Sequence, residues 1–282
     1  METIITPGDM QNISLELRRN GVSLGFVPTM GALHDGHLSL IRESLAENDK
    51  SIVSIFVNPT QFGPTEDLGR YPRTIEKDMD KLRGLGVDYL FLPTNETMYP
   101  AGFRSYVTVE GLTDKLCGLA RPEHFRGVTT VCCKLFQIVS PRISYFGQKD
   151  YQQALVIRRM IEDLNIPMEL KVMPITREED GLAMSSRNRY LSSQERKDAL
   201  VLYQSLLLAY DMLQSGKRDA SSIKSSMEKH IRSVKSSKID YISICDTESL
   251  EEIDGTVDQK ALAAVAVFIG SCRLIDNRIL KL

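Results

Sequence analysis

Two of the chain's four histidines fall within the segment T-M-G-A-L-H-D-G-H, residues 29–37. His34 and His37 stand where a loop becomes a helix, because Leu38, Ile41 and Leu45 then recur at helical spacing. Asp35 is the expected N-cap. The start of a helix presents unpaired N–H groups and the positive end of its dipole, which is an anion site. Two imidazoles added there suit phosphate chemistry. Gly31 and Gly36 let the backbone approach a ligand closely or take positive φ. The plain alternative is a loop histidine followed by a first-turn surface histidine.

Four further segments carry donors of the same kind. N-P-T-Q-F-G, residues 58–63, offers the Asn58 and Gln61 amides, suited to a small polyhydroxy or carboxylate substrate. Simple turn chemistry is the alternative for Asn58, whereas glutamine is no usual turn former. F-G-Q-K-D-Y-Q-Q-A, residues 146–154, puts Lys149 at a helix start, where the dipole disfavours a cation. A bound anion would resolve that conflict; a solvated lysine is the alternative. Gln153 lies one turn into the same helix. G-L-A-M-S-S-R-N-R-Y-L-S, residues 181–192, combines the Ser185 and Ser186 hydroxyls with Arg187, all donors to phosphate oxygens. It reads equally as a solvated linker ending in a cap at Ser192 or Ser193. R-P-E-H-F-R-G-V, residues 121–128, clusters Arg121, His124 and Arg126 ahead of a helix, for binding or as an ion-paired loop. No Ser or Cys nucleophile with a paired histidine and no carboxylate–metal constellation stands out. The pattern points to catalysis by positioning and charge stabilisation of a phosphate, with a nucleotide as ligand.

The elements that must position these residues alternate. Strands are expected at 24–27, ended by Pro28, and at 51–57, 87–92, 106–109, 143–146 and 169–173. Helices are expected at 8–19, 36–48, 74–85, 125–139 and 151–164. Such alternation gives a doubly wound, parallel α/β sheet whose strand-end loops share one side. The pattern breaks near 174–177. Helices at 193–215 and 218–234, then strands at 239–244 and 262–269, suggest a small α+β unit. The chain has 282 residues, 42% hydrophobic and 26% charged, enough for a sizeable core and two domains. A net charge of −2 implies no general attraction to nucleic acid or membrane. The first ten residues do not read as a signal peptide, and the run 261–269 is too short to span a bilayer. Five cysteines without a C-x-x-C argue against a disulfide framework or a zinc site and suit a reducing cytoplasm.

H-D-G-H resembles the H-x-G-H signature of nucleotidyltransferases related to class I aminoacyl-tRNA synthetases. More closely, VPTMGALHDGHLSLI, IFVNPTQFGPTEDLGRYPRT, RPEHFRGVTTVCCKLF, YFGQKDYQQ and GLAMSSRNRYLS resemble the pantoate–β-alanine ligase (pantothenate synthetase) family, in its order, over about 24–192. The resemblance implies a Rossmann-like N-terminal domain over 1–175 and a smaller α+β domain over 176–282 that closes over the active site. It implies ATP-dependent, AMP-forming condensation of pantoate with β-alanine through a pantoyl adenylate, in pantothenate and coenzyme A biosynthesis. Thr29, Met30, Gly31, Ala32, Leu33, His34, Asp35, Gly36 and His37 would contact ATP, with His37 the proton donor and His34 on the nucleotide. Gly147, Gln148, Lys149 and Asp150 would bind ribose and phosphate. Met184, Ser185, Ser186 and Arg187 would close on the phosphates, and Thr176 would approach adenine. Gln61 and Gln153 would hold pantoate, Gln61 also lying near β-alanine. His37, His34 and Lys149 form the catalytic set. Mg²⁺ would accompany ATP. Its ligands are left unassigned, because only Asp78 of Lys77-Asp78 keeps the charge found in some members. A cytoplasmic homodimer without tightly bound organic cofactor, nucleic acid or membrane partner completes the implied picture.

Two other readings stay open at this point. One is a nucleotidylyltransferase that stops at a nucleotide-linked product; the other is a protein that senses ATP without turnover. Gln61 and Gln153 speak against the first, and the full phosphate-stabilising set against the second.

Overall fold

The computed structural model describes residues 1–64 and 66–282. Thr65, inside one of the family-like segments, lies outside the described residues. The chain divides into two compact units. The first comprises Met1–Thr113, Ala120–Gln148 and Gln152–Pro174; the second comprises Asp114–Leu119, Lys149–Tyr151 and Ile175–Leu282.

In chain order the elements up to residue 173 are β1 (Glu2–Ile4), α1 (Pro7–Arg19), β2 (Leu24–Thr29), α2 (Asp35–Glu47), β3 (Lys50–Ile55), α3 (Ile75–Leu85), β4 (Tyr89–Phe91), α4 (Asn95–Met98), α5 (Cys117–Ala120), α6 (His124–Val139), β5 (Ile143–Gly147), α7 (Tyr151–Asp163) and β6 (Glu169–Met173). The six strands form one sheet in the order β1-β4-β3-β2-β5-β6, every pair parallel. The expected doubly wound α/β sheet is therefore present. From β2 the chain winds outward through β3 and β4, then crosses to the other flank for β5 and β6. The order reverses between β2 and β5, and the crevice outside the carboxyl ends at such a point is the usual ligand position. The inner strands β2, β3 and β5 are buried on both faces, as a parallel sheet requires, with Val27, Leu33, Ile41, Val53, Leu82, Leu90 and Tyr145 in one cluster.

Two expectations need correcting. Pro28 does not end β2, which runs to Thr29 opposite Ile55. The Thr29 carbonyl accepts from Phe56 N–H on the β3 side, so the neighbouring Pro28 nitrogen faces the β5 side. There β5 pairs only with Gly25 and Phe26, and a missing N–H costs no ladder bond. Residues 106–109 form no strand. Their backbone groups are taken by α6 instead: Val107 N–H donates to Thr130 Oγ1 at 3.0 Å, and Thr129 Oγ1 donates to the Val107 carbonyl at 2.6 Å. A short strand at the amino end, β1, was not expected from the sequence and pairs with β4.

The second unit holds α8 (Ser193–Asp198), α9 (Leu200–Gln214), α10 (Ala220–Arg232), β7 (Ser237–Asp246), β8 (Ala261–Ile269) and β9 (Cys272–Leu280). Its strands form an antiparallel sheet ordered β7-β8-β9. Leu202, Leu206, Ile223, Met227, Ile231, Val265 and Val267 belong to its core. The α+β character expected here is present, with one strand more. Ser192 caps α8 through a capping box with Glu195.

Candidate active site

In the first unit the site begins where β2 stops. Thr29 is 8% exposed, and its Oγ1 donates to the Ser54 carbonyl at 2.8 Å and accepts from Gly31 N–H at 3.2 Å. The chain then turns through two left-handed residues, Gly31 at φ +84° and Ala32 at φ +52°. Ala32 bears the Cβ penalty of that region, so the surrounding structure must impose it. α3 supplies the constraint. The buried Asp78 carboxylate accepts from Ala32 N–H at 2.8 Å, Leu33 N–H at 2.9 Å and Thr74 Oγ1 at 3.1 Å. One turn on, Lys81 Nζ donates to the Leu33 carbonyl at 2.6 Å.

The turn delivers His34, not Asp35, as the N-cap of α2. Asp35 is the first helical residue. His37 occupies the third helical position and accepts at Nδ1 from His34 N–H at 3.4 Å, the reciprocal half of a capping box. With Nδ1 an acceptor, the neutral ring carries its proton on Nε2. The two rings lie 4.0 Å apart, tilted by 36°. The spacing marks both histidines but not the cap, because histidine is not among the usual capping residues.

The second segment meets the first directly. Gln61 Nε2 donates to Met30 Sδ at 2.9 Å, while its Oε1 accepts from Asn58 Nδ2 at 3.1 Å. Asn58 is 1% exposed and its amide is engaged within the protein: it also donates to the Gly127 carbonyl and accepts from Thr60 Oγ1 and Tyr99 Oη. Burial pushes the Tyr99 phenol up to about 12, so it remains a donor. Asn58 thus holds Gln61. α6 backs this turn closely, since a Cβ at Gly127 would sit 2.3 Å from the Thr60 carbonyl oxygen. The third contributor is the 121–128 segment. His124 Nδ1 lies 2.8 Å from the Gln61 carbonyl oxygen, and Arg121 pairs with Glu66 at 2.5 Å. Burial raises the Glu66 carboxyl, but the Arg121 guanidinium outweighs it and holds the acid below its usual range. Gln153 is half-buried on α7, and its neighbour Gln152 donates to the Leu112 carbonyl at 2.8 Å.

The second unit carries the remaining residues singled out in the sequence. Lys149 and Asp150 belong to a single 3-10 turn, Nζ to Oδ1 3.9 Å. Thr176 and Met184 close a short hairpin, Met184 N–H donating to the Thr176 carbonyl at 3.0 Å, with Arg177 and Ala183 bridged inside it. Ser185 caps the following 3-10 turn, Ser186–Tyr190, accepting from Arg187 N–H at 3.3 Å. Gly181 at the hairpin tip has φ +96°, and a Cβ there would meet the Tyr203 ring at 2.3 Å. Behind the hairpin, Arg177 makes a two-pronged ion pair with the buried Asp276 at 2.7 and 3.0 Å. The next residue, Asn277, donates through Nδ2 to the Lys149 carbonyl at 2.9 Å. Asp276 and Asn277 were not among the residues singled out in the sequence, because β9 itself was not expected.

The fold and this turn define a doubly wound α/β protein in which an H-x-G-H turn opens a helix at the end of a central parallel strand. The model of one family, Pantoate-beta-alanine ligase, matches residues 2–279. The chain is 52% identical to a pantothenate synthetase of Moorella thermoacetica, covering 100% of this chain and 99% of that one. It is 53% identical to one of Thermodesulfovibrio yellowstonii over the whole of both chains. Among solved structures, a pantothenate synthetase from Thermus thermophilus superposes with a TM-score of 0.93 at 45% identity, covering 99% of each chain. A pantoate–β-alanine ligase from Francisella tularensis, complexed with β-γ ATP and β-alanine, gives 0.80 at 34% identity, covering 99% of this chain and 97% of that one. The chain belongs to the pantoate–β-alanine ligase family.

Proposed function

We propose that this chain joins pantoate to β-alanine with ATP, by way of a pantoyl adenylate. In the first step a pantoate carboxylate oxygen attacks the α-phosphorus, and the bond from phosphorus to the pyrophosphate oxygen breaks. In the second the neutral amine of β-alanine attacks the acyl carbon. The bond to AMP then breaks, a proton leaves the nitrogen, and pantothenate is formed. A carboxylate is a poor acyl donor, and adenylation supplies the leaving group. Negative charge builds on the departing phosphate oxygens, so fixed donors aimed at them lower the barrier.

The observation that carries the reading is the contact of two strand-end turns in the first unit. Met30 of the H-x-G-H turn touches Gln61, so a phosphate-type segment adjoins a neutral amide suited to pantoate. In this reading His37 donates a proton from Nε2, and His34 lies on the nucleotide. Residues 29–37, Gly147 and Gln148 are the first unit's ATP residues. Lys149, Asp150, Thr176 and 184–187 are the second unit's ATP residues. Gln61 and Gln153 hold pantoate, while Asn58 acts through Gln61. Magnesium would enter with the ATP phosphates. Among the described residues no three His, Cys, Asp or Glu side chains cluster as a metal site, and Asp78 already accepts three hydrogen bonds. The family resemblance extends the proposal to a cytoplasmic homodimer, which sedimentation velocity tests. Among the described residues no helix is long and apolar enough to cross a membrane.

Pyrophosphate–ATP exchange is the deciding assay. Exchange should require pantoate, and adding β-alanine should yield pantothenate and AMP. Exchange independent of pantoate, or none, would sink the ligase reading. Exchange without amide formation would favour a nucleotidylyltransferase.

A further inference from the structure

β9 crosses the second unit with two consecutive polar residues, Asp276 and Asn277, each only 3% exposed. Buried polar groups are costly unless they are satisfied, so their partners show what they are for. Asp276 takes Arg177 in a two-pronged pair, and its Oδ1 also accepts from Asn277 N–H at 2.8 Å. Arg177 in turn donates to the Gly181 carbonyl at 3.0 Å and lies 4.2 Å over the Tyr203 ring. That ties the base of the hairpin that leads into 184–187 to its tip. Asn277 Nδ2 reaches the Lys149 carbonyl at 2.9 Å. Cys272, at the start of the same strand, donates through Sγ to the Arg187 carbonyl at 3.5 Å. One strand therefore grips the main chain at Lys149 and at Arg187, and the side chain next to Thr176.

We propose that Asp276 and Asn277 are positioning residues for the adenylation step, locking the Lys149 turn and the Thr176–Arg187 hairpin into one geometry for ATP phosphate. The inference rests on the reading of Lys149 and 184–187 as phosphate contacts. Neither β9 side chain is a substrate contact. Their effect passes through Lys149 and Arg177.

The test is Asn277→Ala, assayed by pantoate-dependent pyrophosphate–ATP exchange and by calorimetric ATP binding. Losing one hydrogen bond that holds a phosphate-binding lysine should raise the ATP KM and Kd about fivefold to tenfold. The pantoate KM should stay within about twofold, since Gln61 and Gln153 belong to the other unit. In a Lys149→Ala background the same substitution should add nothing to the ATP Kd. Asn277→Ser, smaller but still polar, serves in the same assays if the alanine variant does not fold, and Arg177→Lys should show the same ATP-specific shift. A fall in kcat with an unmoved ATP KM, or an equal rise in both KM values, would overturn the inference. So would a full effect of Asn277→Ala in the Lys149→Ala background. Absence of exchange in the unaltered protein is a different outcome and would count against the ligase reading itself.

Discussion

His37 and Asp78 meet the same turn in two proposed roles, one as proton donor and the other as support for the backbone. His37 accepts a backbone N–H at Nδ1, which leaves Nε2 as the proton-bearing nitrogen, the one the proposed donor role requires. His37→Ala is expected to lower pantoate-dependent exchange by about a hundredfold or more, the usual contribution of a positioned acid. The melting temperature should change little, because a half-buried first-turn residue carries little of the core. An unaltered exchange rate would take the proton-donor role away from it. Asp78 works through backbone, at the Ala32 and Leu33 N–H groups. Asp78→Asn keeps one acceptor and turns the other into a donor facing an N–H. The mismatch should cost about 1–3 kcal/mol at the turn. The expected result is a loss in kcat/KM for ATP of about tenfold or more, with Ala32 and Leu33 amides exchanging faster by NMR. Unaltered amide exchange at those two residues would show that the turn holds its left-handed step without α3.

At the level of elements, the sequence reading succeeds where local pattern and tertiary demand agree. β2, β3 and β5 are apolar runs, and in a sheet covered on both faces that is what each needs. α3, α6 and α7 have apolar stripes at helical spacing. The reading fails where side chains from elsewhere decide. Residues 106–109 look like a strand, yet hydroxyls of α6 take their backbone groups. Pro28 looks like a stop, and the sheet has no partner on the side where it matters. β9 escaped because Arg273, Asp276 and Arg278 interrupt its apolar alternation, and two of its polar residues serve buried contacts. The His34 and His37 positions were legible from spacing. The Asp78 and Lys81 clamp was not, because nothing local to residues 78–81 announces contact with residues 32–33.

The brace around Gln61 yields a pH prediction of its own. Burial works to raise the Glu66 carboxyl, and Arg121 more than offsets it, so the native pKa lies below the unfolded one. The pair's stabilisation is therefore present above the unfolded carboxyl's pKa of about 4.3 and is lost as pH falls through the lower native value. Melting temperature should decline between about pH 5 and 3. Glu66→Gln should start lower at neutral pH and decline less over that window. An acid limb of equal steepness in both proteins would mean that the ion pair contributes nothing measurable.

For the whole molecule, the division of labour between the two units can be tested without reference to their arrangement. Each has its own core, and the residues assigned to pantoate lie in the α/β unit. Those assigned to ATP occur in both. A ligand that binds only the native state stabilises by RT ln(1 + [L]/Kd), about 2.7 kcal/mol at a hundredfold excess over Kd. Protection should appear where its contacts are. ATP at that excess should slow amide exchange at 30–37 and also at 176–187, whereas pantoate alone should protect only segments of the first unit, around 58–61 and 153. Hydrogen exchange by mass spectrometry separates these peptides. If ATP protects 30–37 and leaves 176–187 untouched, the second unit takes no part in nucleotide binding, and the roles given to Thr176 and 184–187 fail together. If both segments are protected in the unaltered protein but only 30–37 in Asn277→Ala, β9 is what makes the second unit's contribution possible.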